Sequence, residues 1–221
     1  MEGLERFLAF DLEELPYVVA VLIIAFTVHE FSHAYVAYKF GDSTAKQQGR
    51  VTLNPVSHLD PLGTLFLLIA GFGWARPVPV NRFHFKRPRL AGILVSFAGP
   101  FSNFLVACLG YAILFSLLAA GLFSQLPFFI QPFLEMLIQL NIILFIFNLL
   151  PIPPLDGYRI IEDLAPNHIR TKMTQYEVYG SLIFLILVLT PLGDYTIQPI
   201  FTFVLPFIIN HLNEFFSQIF F

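Results

Sequence analysis

Long, nearly unbroken apolar runs alternate with short polar segments along this chain. The first run, Pro16 to Tyr38, is entered at a proline and predicts a membrane helix. Residues 39–61 are polar and broken by Pro55 and Pro61, so they read as a loop. Leu62 to Ala75 is apolar again but has only 14 residues, three of them glycine. A spanning helix takes about 20 residues, so a re-entrant segment or tilted half-helix suits this stretch as well as a span does. Leu90 to Phe123 is long enough for a tilted span with an extension, and Phe128 to Leu150 is a further span. Polar residues 157–177 follow. Ser181–Leu192, drawing in residues from about Val178, and Pro199–Phe221 then predict a C-terminal hairpin of apolar segments. The expected fold is an all-α polytopic membrane protein of five to six membrane segments, including one short or re-entrant piece. It forms one membrane-embedded unit over 1–221, with a core at about 16–165 and the hairpin at about 178–221.

Composition supports this reading. The chain has 221 residues, 57% of them apolar and only 12% charged, about half the usual charged share. The net charge of −3 includes no basic patch for nucleic acid. Cys108 is the single cysteine, which excludes intrachain disulfides and cysteine-based zinc knots. It is expected to pack within its apolar helix. Residues 1–15 are acidic and read as an interfacial lead-in, without the basic start of a secretory leader. The segment 76–89 carries Arg76, Arg82, Lys86, Arg87 and Arg89 and no acid, which places it in the cytoplasm. With the N-terminus outside, the first helix then runs inward. The same counting returns the span from Phe128 to the cytoplasmic side.

Within the first apolar run stands His29-Glu30-Phe31-Ser32-His33. Ionisable groups at membrane depth are costly and point to function. Residues four apart on a helix share a face, about 6 Å apart along the axis, so His29 and His33 can aim at one metal ion. This is the His-Glu-x-x-His arrangement of zinc peptidases, with Glu30 placed to take a proton from a water that the metal activates. A catalytic zinc needs a third protein ligand, and the candidates at membrane depth are Asp156, His58 and Asp60. Asp156 is preferred because it follows a full span and the prolines at 151, 153 and 154. Irregular backbone persists in a membrane only where protein or a wet cavity surrounds it. By the orientation above, Asp156 and both histidines fall in the cytoplasmic half. A metal-binding transporter or an inactive protease-like scaffold is the rival reading. Glu30 argues against it, because binding alone requires no carboxylate at that position.

Three motifs in order now carry a family resemblance: His29-Glu30-x-x-His33, Gly99-Pro100-x-x-Asn103, and Asn148-Leu149-Leu150-Pro151 running into Leu155-Asp156-Gly157. Over about residues 16–165 the chain resembles the site-2 proteases, intramembrane zinc metalloproteases, in their minimal form without PDZ or CBS domains. The resemblance implies one zinc ion per chain held by His29, His33 and Asp156, with Glu30 as base. It also implies membrane-protein or membrane-peptide substrates cut in or near their membrane segments. It places Asn103 by the active site, polarising the substrate carbonyl or pairing with an extended substrate. Asn54-Pro55-x-x-His58-x-Asp60-Pro61 also looks like this branch, with His58 behind the ligands or as a transient extra one. Residues 71–80 resemble the family's membrane-edge loop, where Val78 and Val80 suit a short strand edge. Trp74 reads equally as an interface anchor. The implied setting is the cell (inner) membrane, with the active site toward the cytoplasm. His84 and His168 are expected to be solvated loop residues, and His211 to pair within the C-terminal bundle.

Overall fold

The computed structural model describes residues 10–70 and 73–221. Residues 1–9 of the expected lead-in, and Gly71 and Phe72 of the expected membrane-edge loop, lie outside the described residues. Among the described residues there are nine α-helices and no strand. They are α1 (Leu15–Lys39), α2 (Thr44–Gln47), α3 (Pro61–Ala70), α4 (Pro88–Ala119), α5 (Ile130–Asn148), α6 (Asp156–Leu164), α7 (Asn167–Leu189), α8 (Leu192–Thr196) and α9 (Gln198–Phe220).

Five of these, α1, α4, α5, α7 and α9, are long and apolar enough to cross a membrane. The short apolar stretch resolves into α3, whose ten residues span about 15 Å, half a bilayer core. At 32 residues α4 reaches about 48 Å and must tilt or extend beyond the hydrocarbon. The helices expose large apolar side chains outward, among them Leu105, Leu109, Ile183 and Phe203. Such a surface suits lipid rather than water.

The central element is α4, which packs against α1, α5, α6 and α9. Val18, Leu22 and Phe26 of α1 meet Met136, Leu140 and Leu144 of α5. Tyr111 of α4 closes with Ile138 and Ile142 of α5 and Phe216 of α9, and Cys108 packs against this cluster. Leu150, Leu155 and Phe184 form a smaller cluster that ties α7 to the α5–α6 corner.

The expected C-terminal hairpin begins earlier than its apolar composition suggests. Helix α7 starts at Asn167, immediately after Pro166, and carries polar residues for three turns. Those residues have partners on α6: Thr174 Oγ1 donates to Glu162 at 2.6 Å, and Arg159 pairs with Glu177. Their polar faces are satisfied, so the helix continues through them.

Candidate metal centre

His29 and His33 lie on the buried face of α1. Their Nε2 atoms are 3.0 Å apart. Asp156 Oδ2 lies 3.2 Å from the first and 3.3 Å from the second. Asp156 stands at the first position of α6. The chain turns back sharply to deliver it. A Cβ on Gly157 would lie 2.2 Å from the Leu149 carbonyl oxygen, so only glycine lets α6 start against the end of α5.

Each histidine is oriented by α4. His33 Nδ1 donates to the Val95 carbonyl at 2.6 Å. His29 Nδ1 donates to Asn103 Oδ1 at 2.7 Å. Both partners are oxygens that only accept, so the ring protons sit on Nδ1 and both Nε2 lone pairs are bare. Two lone pairs and a carboxylate oxygen then face one another in a buried spot, an arrangement that a cation relieves.

The spacing suits zinc. Donor atoms about 2.0 Å from a tetrahedral zinc lie about 3.3 Å apart, close to the three separations found here. Space has been left as well. A Cβ on Gly99 would fall 2.3 Å from His33 Nε2 and 2.6 Å from His29 Nε2. These three are the one group of histidine, cysteine or acidic side chains among the described residues that could hold a metal ion.

The donors open onto a cavity of about 620 Å³. Glu30, Ser96, Asn148 and Arg159 line it beside them, and Phe26, Leu144 and Phe147 form an apolar wall. A volume of this size accommodates a small ligand or a short peptide stretch. Residues 73–81 lie across the opening without regular structure, and Trp74, Pro77, Val78 and Val80 line it. The backbone of this strap is bonded at several points. Arg76 N–H donates to the His58 carbonyl at 2.8 Å. The Arg50 guanidinium donates to the Arg76 carbonyl at 2.5 Å. Val78 N–H donates to Glu30 Oε2 at 3.0 Å, and Asn81 N–H to Asp42 Oδ2 at 2.6 Å. No strand forms at Val78 and Val80, and the Val78 N–H is directed at Glu30.

The other two third-ligand candidates are engaged elsewhere. His58 is fully buried, its Nε2 donates to the Thr52 carbonyl at 2.7 Å, and it does not line the cavity. Asp60 caps α3 by accepting from Gly63 N–H at 2.8 Å. Asn103 sits behind His29, fully buried, with its oxygen facing the imidazole rather than the cavity. A role in polarising a substrate carbonyl does not fit that orientation. His84 is not simply solvated, because its Nδ1 bonds Asp42 Oδ1 at 2.9 Å. His211 bonds the Phe207 carbonyl of its own helix. The contact between Glu30 and the strap and the burial of Asn141 beside Asn103 carry no sequence motif. An amide inside the apolar run of α5 was the only available signal for Asn141.

Comparison with known proteins supports the same chemistry. The model of "Peptidase family M50" matches residues 128–190, which include Asp156. "Putative zinc metalloprotease YwhC" of Bacillus subtilis (strain 168) is 58% identical over 198 residues, 89% of this chain and 90% of its own length. "Putative zinc metalloprotease Rip2" of Mycolicibacterium smegmatis is 29% identical over 179 residues, covering 79% of this chain and 67% of the relative. Its namesake in Mycobacterium tuberculosis H37Rv is 31% identical over 183 residues, with the same coverage. No solved structure matches the chain.

Proposed function

The chain belongs to peptidase family M50, the site-2 protease family of membrane zinc metalloendopeptidases, and we propose that it hydrolyses peptide bonds in or near membrane segments of other proteins. On this reading His29, His33 and Asp156 hold the zinc and Glu30 is the base. The observation that carries the reading is the convergence of three donor atoms within 3.3 Å beside Glu30, inside a bundle with an apolar exterior.

Zinc, when bound there, supplies a Lewis acid that brings the pKa of a water near neutrality and polarises a carbonyl. The chain's own groups do the rest. Val78 N–H holds one oxygen of Glu30, which leaves the other free to take the proton of the attacking water. Glu30 then returns that proton to the leaving amine. The apolar wall of Phe26, Leu144 and Phe147 receives side chains from a membrane segment. It also excludes bulk water, which strengthens every charge interaction at the site. Asn103 and the Val95 carbonyl act through the histidines they hold.

The cell membrane, with the site toward the cytoplasm, is the setting we infer. Lys39 ends α1 one to two turns beyond His33, and five cations without an acid occupy 76–89.

The test uses the full chain in liposomes with zinc and a membrane-helix peptide, with fragments mapped by mass spectrometry. Glu30→Gln should abolish cleavage while zinc stays near one per chain. Undiminished cleavage by Glu30→Gln sinks the mechanism. Cuts confined to the peptide's soluble flanks, far from the bilayer, sink the substrate assignment.

A further inference from the structure

Asn141 lies in the middle of α5, seven residues before Asn148, and is fully buried. An amide in an apolar membrane helix is costly unless bonded, and here its bonds run in one direction. Asn141 Nδ2 donates to the Leu137 carbonyl of its own helix at 2.8 Å. That contact turns Asn141 Oδ1 outward, where it accepts from Asn103 Nδ2 at 3.0 Å. Asn103 Nδ2 also donates to the Ala25 carbonyl at 3.2 Å. Both amide hydrogens of Asn103 are thereby engaged, and Asn103 Oδ1 must face His29 Nδ1.

A reversed Asn103 amide would offer His29 Nδ1 an N–H instead of an oxygen. The imidazole proton would move to Nε2, and the lone pair that faces His33 and Asp156 would be lost. The Ala25 and Asn141 oxygens both oppose that reversal. We infer that Asn141 is a positioning residue for the metal centre: it fixes the Asn103 amide and, through it, the metal-binding tautomer of His29. The inference rests on the reading of His29 as a zinc ligand.

The experiment titrates the full-length protein in detergent with zinc against a competing chelator. Apo-state thermal unfolding and the imidazole ¹⁵N shifts of His29 are followed in parallel. Asn141→Leu should weaken zinc about tenfold, the lower end of what groups supporting a ligand contribute, and populate the Nε2–H form of His29. Asn141→Asp, in its acid form, can still donate to the Leu137 carbonyl and accept from Asn103, and should weaken zinc clearly less than Asn141→Leu does. Asn141→Ser satisfies the helix carbonyl but is too short to reach Asn103. It should behave like Asn141→Leu and serves in its place if the latter does not fold. Unchanged zinc affinity and tautomer in Asn141→Leu, with only a lower unfolding temperature, would show a plain interhelical bond and overturn the inference. Equal weakening in Asn141→Asp would overturn it too. His29→Ala separates the two readings. If it leaves zinc affinity intact, the metal assignment fails; if it loses zinc while Asn141→Leu does not, only the role of Asn141 fails.

Discussion

Gly99→Ala tests whether the gap between the histidines is the seat of the metal. The added Cβ would lie 2.3 Å from His33 Nε2, 2.5 Å from its Cε1 and 2.6 Å from His29 Nε2. Non-bonded heavy atoms settle at about 3.5 Å or more, so the rings must retreat by about 1 Å. Zinc–ligand distances tolerate only about 0.2 Å. Zinc affinity should therefore fall by more than the roughly 100-fold upper limit for loss of a supporting group, and cleavage should fall with it. The apo fold has a different balance. A glycine-to-alanine change inside a helix gains about 1 kcal/mol, against an overpacking cost of about 1–3 kcal/mol that freed rings can relieve. Apo unfolding should thus shift little while metal binding collapses. The assay is chelator competition, with zinc per chain by elemental analysis and unfolding of the apo protein alongside. Gly110→Ala on the same helix is the control. Its Cβ would meet Ile138 Cγ1 at 2.8 Å, in a buried apolar cluster remote from the site, so the fold should lose some stability while zinc binding stays unchanged. Wild-type zinc affinity in Gly99→Ala would refute the reasoning.

Asp156→Ala should reduce bound zinc well below one per chain, and an unchanged metal-to-protein ratio would return the third-ligand role to another group. Val78→Pro removes the N–H that holds Glu30 Oε2, in a segment already flanked by Pro77 and Pro79. Hydrogen bonds to charged groups contribute about 1.5–3 kcal/mol. The turnover rate should therefore drop about tenfold or more with zinc retained, whereas a faster enzyme would make the strap a brake. Asp42 anchors the far end of the strap. Burial alone would raise its pKa, but hydrogen bonds from Thr44, His84 and the Asn81 backbone hold the carboxyl below its ordinary range. Its folded-state pKa is thus the lower one, so its stabilisation is complete above about pH 4. It fades as pH falls through the lower folded value. Asp42→Asn should unfold at lower temperature than wild type at neutral pH, with the gap narrowing below pH 4. A gap that stays constant through acid titration would argue against this anchor.

The parts of the fold visible in the sequence were those with local signals. Apolar runs marked the spans, and the spacing of His29 and His33 needed only helical geometry to become a pair. Asp156 was legible because prolines and a full span precede it, although nothing local fixes its 3.2 Å approach to His29. Polar pairing across elements was not legible. The polar start of α7 read as loop because its partners, Glu162 and Arg159, lie on another helix. His84 looked solvated because Asp42 is 42 residues away. The family resemblance brought Asn103 to the site, but the direction of an amide depends on its neighbours, here Ala25 and Asn141. Glu30 reads as a base in any case, yet its contact with Val78 joins groups 48 residues apart.

The spacing of the groups on α4 explains why the Gly99-Pro100-x-x-Asn103 motif has its form. Val95, Gly99 and Asn103 are successive four-residue steps and share one stripe of the helix. That stripe offers an acceptor, a gap and an acceptor in turn. The facing helix α1 presents His33 opposite Val95 and His29 opposite Asn103, so the two helices run antiparallel with the gap between the rings. One register therefore satisfies both outer nitrogens and leaves both inner ones bare. Pro100 adds a local opening, since it has no N–H for the Ser96 carbonyl and Ser96 lines the cavity. A slip of one residue between α1 and α4 would remove both acceptors and push a side chain into the gap at once. Gly99 and Asn103 thus shape the candidate centre as much as the two histidines do, though neither offers a donor atom to an ion there.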